Sequence, residues 1–135
     1  MTVPVVAHFV STLWLEDLDG TNSIVAAPLI FFSAELRGVV VVPTGFQTNF
    51  ASIPRALWCF IPKRGKHDWA AVLHDAAYEG RLHTSTGRRM HLIKKLADRL
   101  FLEALVVRKV SKWQRRMMYD AVQEYGGAHY RGLDG

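Results

Sequence analysis

The sequence predicts an α+β fold, with N-terminal antiparallel strands (about five, all short) followed by a C-terminal bundle of three main α-helices. Three observations carry that reading. Runs rich in Val, Ile, Phe and Trp, broken by turn signals, fill the chain up to Val42. From residue 67 the apolar residues recur at helical spacing instead. Between the two lies a stretch punctuated by Pro43, Gly45, Pro54 and Pro62. The division is internal to one domain, 1–135: a strand-rich half (1–43), an ordered loop with a short helix (44–66), a helical half (67–127) and a loose tail (128–135).

The expected strands are Val3–Val10, Thr12–Glu16, Ser23–Ala26, Leu29–Ala34 and Val39–Val42. Asp19-Gly20 is a hairpin-turn signal and Arg37-Gly38 a weaker one. Tight turns between sequential strands imply antiparallel pairing, because parallel pairs need long crossovers. The segment from Pro43 to Arg55 reads as an ordered loop. Ser52 before Ile53-Pro54 marks a helix start, and a short helix over Ala56–Ile61 should follow.

In the first long helix the stripe is Trp69, Val72, Leu73 and Ala76, ended by Gly80. The second runs from about Arg88 to Val107 on Met90, Ile93, Ala97, Leu100, Phe101 and Ala104. The third opens on Ser111-Lys-Trp-Gln114, the pattern of a capping box, and stops at Gly126-Gly127. Trp113, Met117 and Met118 belong to its core or to a partner-facing stripe.

Bulk properties narrow the class. Half the residues are hydrophobic and 21% are charged, an ordinary globular mixture. No apolar run is long enough to span a bilayer, and the N-terminus lacks the pattern of a secretory signal. Cys59, the single cysteine, allows no internal disulfide, which fits folding in a reducing cytoplasm. The net charge of +5 would draw a polyanion such as anionic lipid, an acidic partner or nucleic acid. No motif gives a basis for sequence-specific nucleic-acid binding, and at helical spacing the basic residues read as solvated faces.

The residues that point to chemistry lie on the first two long helices. His74 and Tyr78 are one turn apart, and Asp75 adjoins both. The stripe takes Trp69, Val72, Leu73 and Ala76, so the three lie along its edge, where an imidazole beside a carboxylate and a phenol can serve as a general base. Asp98 follows Ala97 and precedes Phe101 by three residues, so its carboxylate is half-buried and needs a partner. With the helices antiparallel, Asp98 meets His74 and orients the ring. The same pair would serve equally as an inter-helix hydrogen bond without turnover. His67, His74, His83 and His91 match no common zinc spacing, and Ser52 is better explained as a helix cap than as a nucleophile.

Val42-Pro-x-Gly45-Phe46, Thr48-x-x-Ala51-Ser52-Ile53-Pro54-Arg55, Ala71-Val-Leu-His74-Asp75-x-x-Tyr78 and Ala97-Asp98-x-x-Phe101-Leu-Glu-Ala-Leu105 resemble the blocks of a bacteriophage and prophage family of unknown function, DUF1353. The resemblance implies a phage origin, synthesis in a bacterial host cytoplasm, and partners among other phage structural proteins or anionic membrane lipid. The family usually carries Asp where this chain has Asn49. His74-Asp75-x-x-Tyr78, followed by a helix bearing Asp98-x-x-Phe101, is also similar to the paired helices of secreted phospholipases A2. That likeness implies His74 as base, Asp98 and Tyr78 as its orienting pair, and Asp75 as a calcium ligand, with Asn49 able to complete the oxygen shell. The cysteines that flank the motif in those enzymes are replaced here by Leu73 and Ala77, and the Gly-rich calcium loop is absent. The expectation is a hydrolase-like phage protein acting on lipid or another ester, with calcium; the alternative is a non-catalytic virion or tail accessory protein in which the cluster is structural.

Overall fold

The computed structural model describes residues 6–49, 57 and 65–131. The strands are β1 (His8–Phe9), β2 (Leu15–Asp17), β3 (Ser23–Val25), β4 (Leu29–Ser33), β5 (Gly38–Val42) and β6 (Gln47–Thr48). The long helices are α1 (His67–Tyr78), α2 (Lys94–Val107) and α3 (Lys112–Tyr125), with a 3-10 turn at Gly126–Ala128. This is the α+β order read from the sequence. The expected short helix over 56–61 lies, but for Leu57, outside the described residues, as do Ser52, Arg55 and Cys59.

The strands form two three-stranded sheets rather than one meander, ordered β1-β4-β5 and β2-β3-β6, all pairs antiparallel. The β2–β3 and β4–β5 hairpins turn where the dipeptides indicated. At the first, Gly20 has φ +81° and Asp19 Oδ1 accepts from the backbone of Thr21 and Asn22. At the second, Arg37 itself takes the left-handed conformation at φ 59°. β6 is an addition, since Gln47–Thr48 sits in what reads as loop. Two residues are too short to show periodicity, and pairing to β3 makes them a strand.

Alternation sets the buried face of the larger sheet. Leu29, Phe31 and Ser33 of β4 and Val40 and Val42 of β5 point inward, while their neighbours are half-exposed. Ser33 is fully buried because Glu103 of α2 comes to meet it. Its hydroxyl donates to Glu103 Oε1 at 2.6 Å, and Oε2 accepts from the backbone of Ala34 and Glu35. One carboxylate thus fastens the β4–β5 hairpin to the helical layer.

α1 is buried on every face, only Trp69 among its residues being part-exposed. Four alanines, Ala70, Ala71, Ala76 and Ala77, give it a slim profile that neighbours can approach closely. This corrects the expectation of a one-sided stripe with His74, Asp75 and Tyr78 along its rim: the helix is central, and all three are buried. The helix ends as Gly80 predicted. At φ +65° that residue allows Arg81 N–H to bond Ala76 O at 2.8 Å and Gly80 N–H to bond Ala77 O at 3.2 Å.

α2 begins six residues later than the periodicity suggested. Arg89 bridges to His83, Met90 N–H donates to Leu82 O, and Ile93 is extended. Gly87, at φ +87°, turns the chain back on itself before the helix can start. The apolar residues Met90 and Ile93 mimic a helical register there without forming one. In α3 the expected capping box is replaced: Ser111 Oγ donates to Gln114 Oε1 at 2.8 Å rather than accepting from the backbone. Met118 packs in the core, Met117 is part-buried, and Trp113 is 58% exposed.

The chain after α3 makes specific contacts as far as it is described. Tyr130 donates to Leu92 O at 2.6 Å and sets its ring edge-on to Tyr78, with centroids 5.4 Å apart. Arg131 N–H donates to Tyr78 O at 2.6 Å. Gly126 lets the end of α3 close onto this point, because a Cβ there would lie 2.4 Å from Tyr78 Oη. Among the described residues no helix is long and apolar enough to cross a membrane.

Candidate functional site

α1 and α2 bring together His74, Tyr78 and Asp98. His74 Nε2 lies 2.8 Å from Asp98 Oδ1, and Tyr78 Oη donates to the same oxygen at 2.5 Å. One turn upstream on α2, Lys94 Nζ donates to Oδ2 at 2.8 Å and continues to the carbonyls of Val122 and Gln123 on α3. The Asp98 side chain therefore takes bonds from its own helix and from α1, and through Lys94 it is tied to α3.

Burial alone would raise the Asp98 carboxyl, but the hydrogen bonds from His74, Lys94 and Tyr78 outweigh it and hold the group below its ordinary value. An ionised Asp98 accepts, so Nε2 of His74 carries the shared hydrogen. In the neutral ring Nδ1 then holds the lone pair, the polarity a general base requires. Burial, reinforced by the bond to Asp98, pushes the Tyr78 phenol far above its ordinary range, which keeps it a donor. The imidazole is sandwiched between Tyr78, at 4.0 Å between centroids, and Phe101, at 4.6 Å. It is 0% exposed and Asp98 only 2%.

Asp75, one residue and about 100° further round α1, faces elsewhere. It accepts a hydrogen bond from Thr48 Oγ1 on β6 and lines an open cavity of about 440 Å³. Asn49, Glu79, His129 and Arg131 share that cavity, which reaches Tyr78 but not His74. The structure thus brings Asn49 near Asp75 and places both apart from the His74–Asp98 pair. Burial first and the nearby Asp75 second raise the Glu79 carboxyl. A hard cation would relieve that crowding. The surrounding donors on Asp75, Glu79, Asn49 and Thr48 are oxygens, the type calcium takes, so the side chains present fit the ion in kind. Among the described residues no three His, Cys, Asp or Glu side chains converge into a metal-holding group.

Sequence reasoning missed Lys94, Thr48, Glu79 and Arg131. Lys94 was within reach of it, being four residues before Asp98 and so on the same helix face. Thr48 and Arg131 depend on pairings that bring remote segments to α1, which no local pattern encodes.

The fold and the cluster define an α+β domain built around a buried His–Asp pair on two packed helices. The chain belongs to the family described as Protein of unknown function (DUF1353), whose model matches residues 24–122. No curated protein and no solved structure matches it.

Proposed function

We propose that this protein is a phage-encoded hydrolase of lipid or another ester, with His74 as general base. The observation that supports this most is the division of labour across one turn of α1: the His74–Asp98–Tyr78 cluster faces inward, while Asp75 faces an open polar cavity. In this reading Asp98 and Tyr78 orient the ring, and Lys94 keeps Asp98 ionised. Nδ1 takes a proton from the attacking water and returns it to the leaving alkoxide. Asp75 and Asn49 would hold a calcium ion, whose chemistry is to polarise the ester carbonyl. Because the ring is sealed, Nδ1 meets water only when the surrounding structure opens locally.

The test is fatty-acid release from anionic phospholipid vesicles and from soluble short-chain esters, with and without calcium. Turnover that falls by roughly 100-fold or more in a folded His74→Asn protein is the expected result. Turnover undiminished in that variant, or none in the parent on either substrate class, removes the reading.

One observation favours a second reading. Complete burial of His74 suits a structural pin, and the protein would then be a non-catalytic phage virion or tail accessory component. Stoichiometric copies in purified particles, with His74→Asn lowering the melting temperature and no esterase activity in the parent, would establish it.

A further inference from the structure

The cavity beside Asp75 is also lined by residues that the proposed base and its partners do not use. Arg131 and His129 are two of them, contributed by the segment that follows α3. The backbone there is fixed by specific contacts. Arg131 N–H is bonded to Tyr78 O at 2.6 Å, Tyr130 Oη to Leu92 O at 2.6 Å, and the Tyr130 ring rests edge-on against Tyr78. Gly126 makes the approach sterically feasible, since any Cβ would meet the Tyr78 hydroxyl.

The Arg131 backbone is therefore clamped at the cavity mouth, yet among the described residues its guanidinium makes no hydrogen bond or ion pair within 4 Å. A planar guanidinium with its donors uncommitted matches the two oxygens of a phosphate or carboxylate. His129 adds an imidazole to the same lining. Asn22, just before β3, and Gln47 of β6 line the same cavity. The Gln47 amide can both donate and accept, and Asn22, whose Nδ2 donates to Asp19 Oδ2 at 3.0 Å, keeps its oxygen as an acceptor for the hydroxyls of a polyol. More polar than apolar surface faces the space, and its apolar lining residues Phe46 and Tyr78 are almost wholly buried in the core.

We infer that Arg131, with His129, forms an oxyanion subsite in this cavity, and that its ligand is a small phosphorylated polyol whose hydroxyls meet Asn22 and Gln47. This names the polar end of the substrate in the hydrolase reading and rests on that reading only for its placement beside a reaction; binding itself requires no turnover.

The experiment is calorimetric or NMR titration of the full chain with glycerol 3-phosphate, and with glycerol as the neutral control. Saturable binding of glycerol 3-phosphate, absent for glycerol and weakened roughly 10-fold or more in Arg131→Met, is expected for a charge-assisted pair. Arg131→Lys should recover part of the loss. The side chain bears none of the backbone anchors, so the variants fold as the parent does. Equal affinity in parent and Arg131→Met, equal binding of glycerol, or no saturation at all overturns the subsite. Vesicles of phosphatidylglycerol that compete with glycerol 3-phosphate assign the site to a lipid headgroup; vesicles that do not compete assign it to the free phosphorylated polyol. Esterase activity without Arg131-dependent glycerol 3-phosphate binding removes this inference alone, and Arg131-dependent binding without esterase activity removes the hydrolase reading alone.

Discussion

Lys94 Nζ lies 2.8 Å from Asp98 Oδ2 and within 3.2 Å of the Val122 and Gln123 carbonyls, so its three N–H donors meet three acceptors on two helices. The two carbonyls belong to the last turn of α3, at the negative end of its dipole, and Val122 O also accepts from the Gly126 N–H. A single ammonium thus satisfies the end of α3 and balances the carboxylate that holds His74. Lys94→Met should lower unfolding free energy by about 1–3 kcal/mol, less than for a wholly buried pair because the lysine is partly exposed. Urea denaturation measures it. A change below half a kcal/mol would show that the lysine is dispensable to the packing of α3.

Asp98 also makes a pH prediction. Its folded-state carboxyl titrates below the ordinary aspartate value of 3.8, burial being outweighed by the bonds from His74, Lys94 and Tyr78. Between the folded and unfolded values the unfolded chain binds more protons, so stability rises with pH there. The contribution is complete above about pH 5 and is lost as pH falls through 3.8 toward the lower folded value. The stability difference between the parent and Asp98→Asn should be level from pH 5 to 7 and narrow in acid. A difference that widens as pH falls would contradict the assignment of Asp98 as the ionised partner.

Much of this centre was legible in the sequence because helical spacing fixes neighbours. His74, Asp75 and Tyr78 share one turn of α1, and Asp98 next to Ala97 had to face a packed partner, so the inter-helix pair could be drawn before any coordinates. The depth of that pair could not. A stripe of Trp69, Val72, Leu73 and Ala76 looks one-sided, whereas the alanines around the rest of α1 admit close neighbours and bury the whole helix. The strand half shows the same limit. Hairpin signals at Asp19-Gly20 and Arg37-Gly38 were read from local chemistry, but the partition into two sheets depends on β1 reaching past β2 and β3 to β4. The start of α2 was misplaced because Met90 and Ile93 kept helical spacing through a turn set by Gly87.

Gly126 is a third test, this time steric. Its φ of −72° is open to any residue, so the backbone does not demand glycine. The demand comes from Tyr78, whose hydroxyl would be 2.4 Å from an added Cβ. That hydroxyl is also bonded to Asp98 and cannot swing away without breaking the cluster. Gly126→Ala should therefore cost roughly 1–3 kcal/mol, as overpacking does. The helical gain normally expected from alanine should not appear. A stabilised Gly126→Ala protein would mean that the end of α3 sits further from Tyr78 than 126–131 imply.

Tyr78→Phe separates packing from hydrogen bonding at the same residue. The ring contacts with His74 and Tyr130 survive the substitution, while the donor to Asp98 is removed along with the same hydroxyl's longer contact with Val122 O at 3.4 Å. Loss of one buried bond to a charged acceptor should cost about 1.5–3 kcal/mol. The single value is less informative than its coupling to Lys94. Tyr78 and Lys94 do not share a helix, yet both donate to the two oxygens of one carboxylate, so their contributions should not add. Once either donor is gone, Asp98 is less fully compensated and depends more on the other. The double variant should then lose more than the sum of the singles, by roughly 0.5–2 kcal/mol. Additive losses in urea denaturation would mean that Asp98 does not integrate the two helices, and that His74 is held by packing between Tyr78 and Phe101 rather than by its carboxylate.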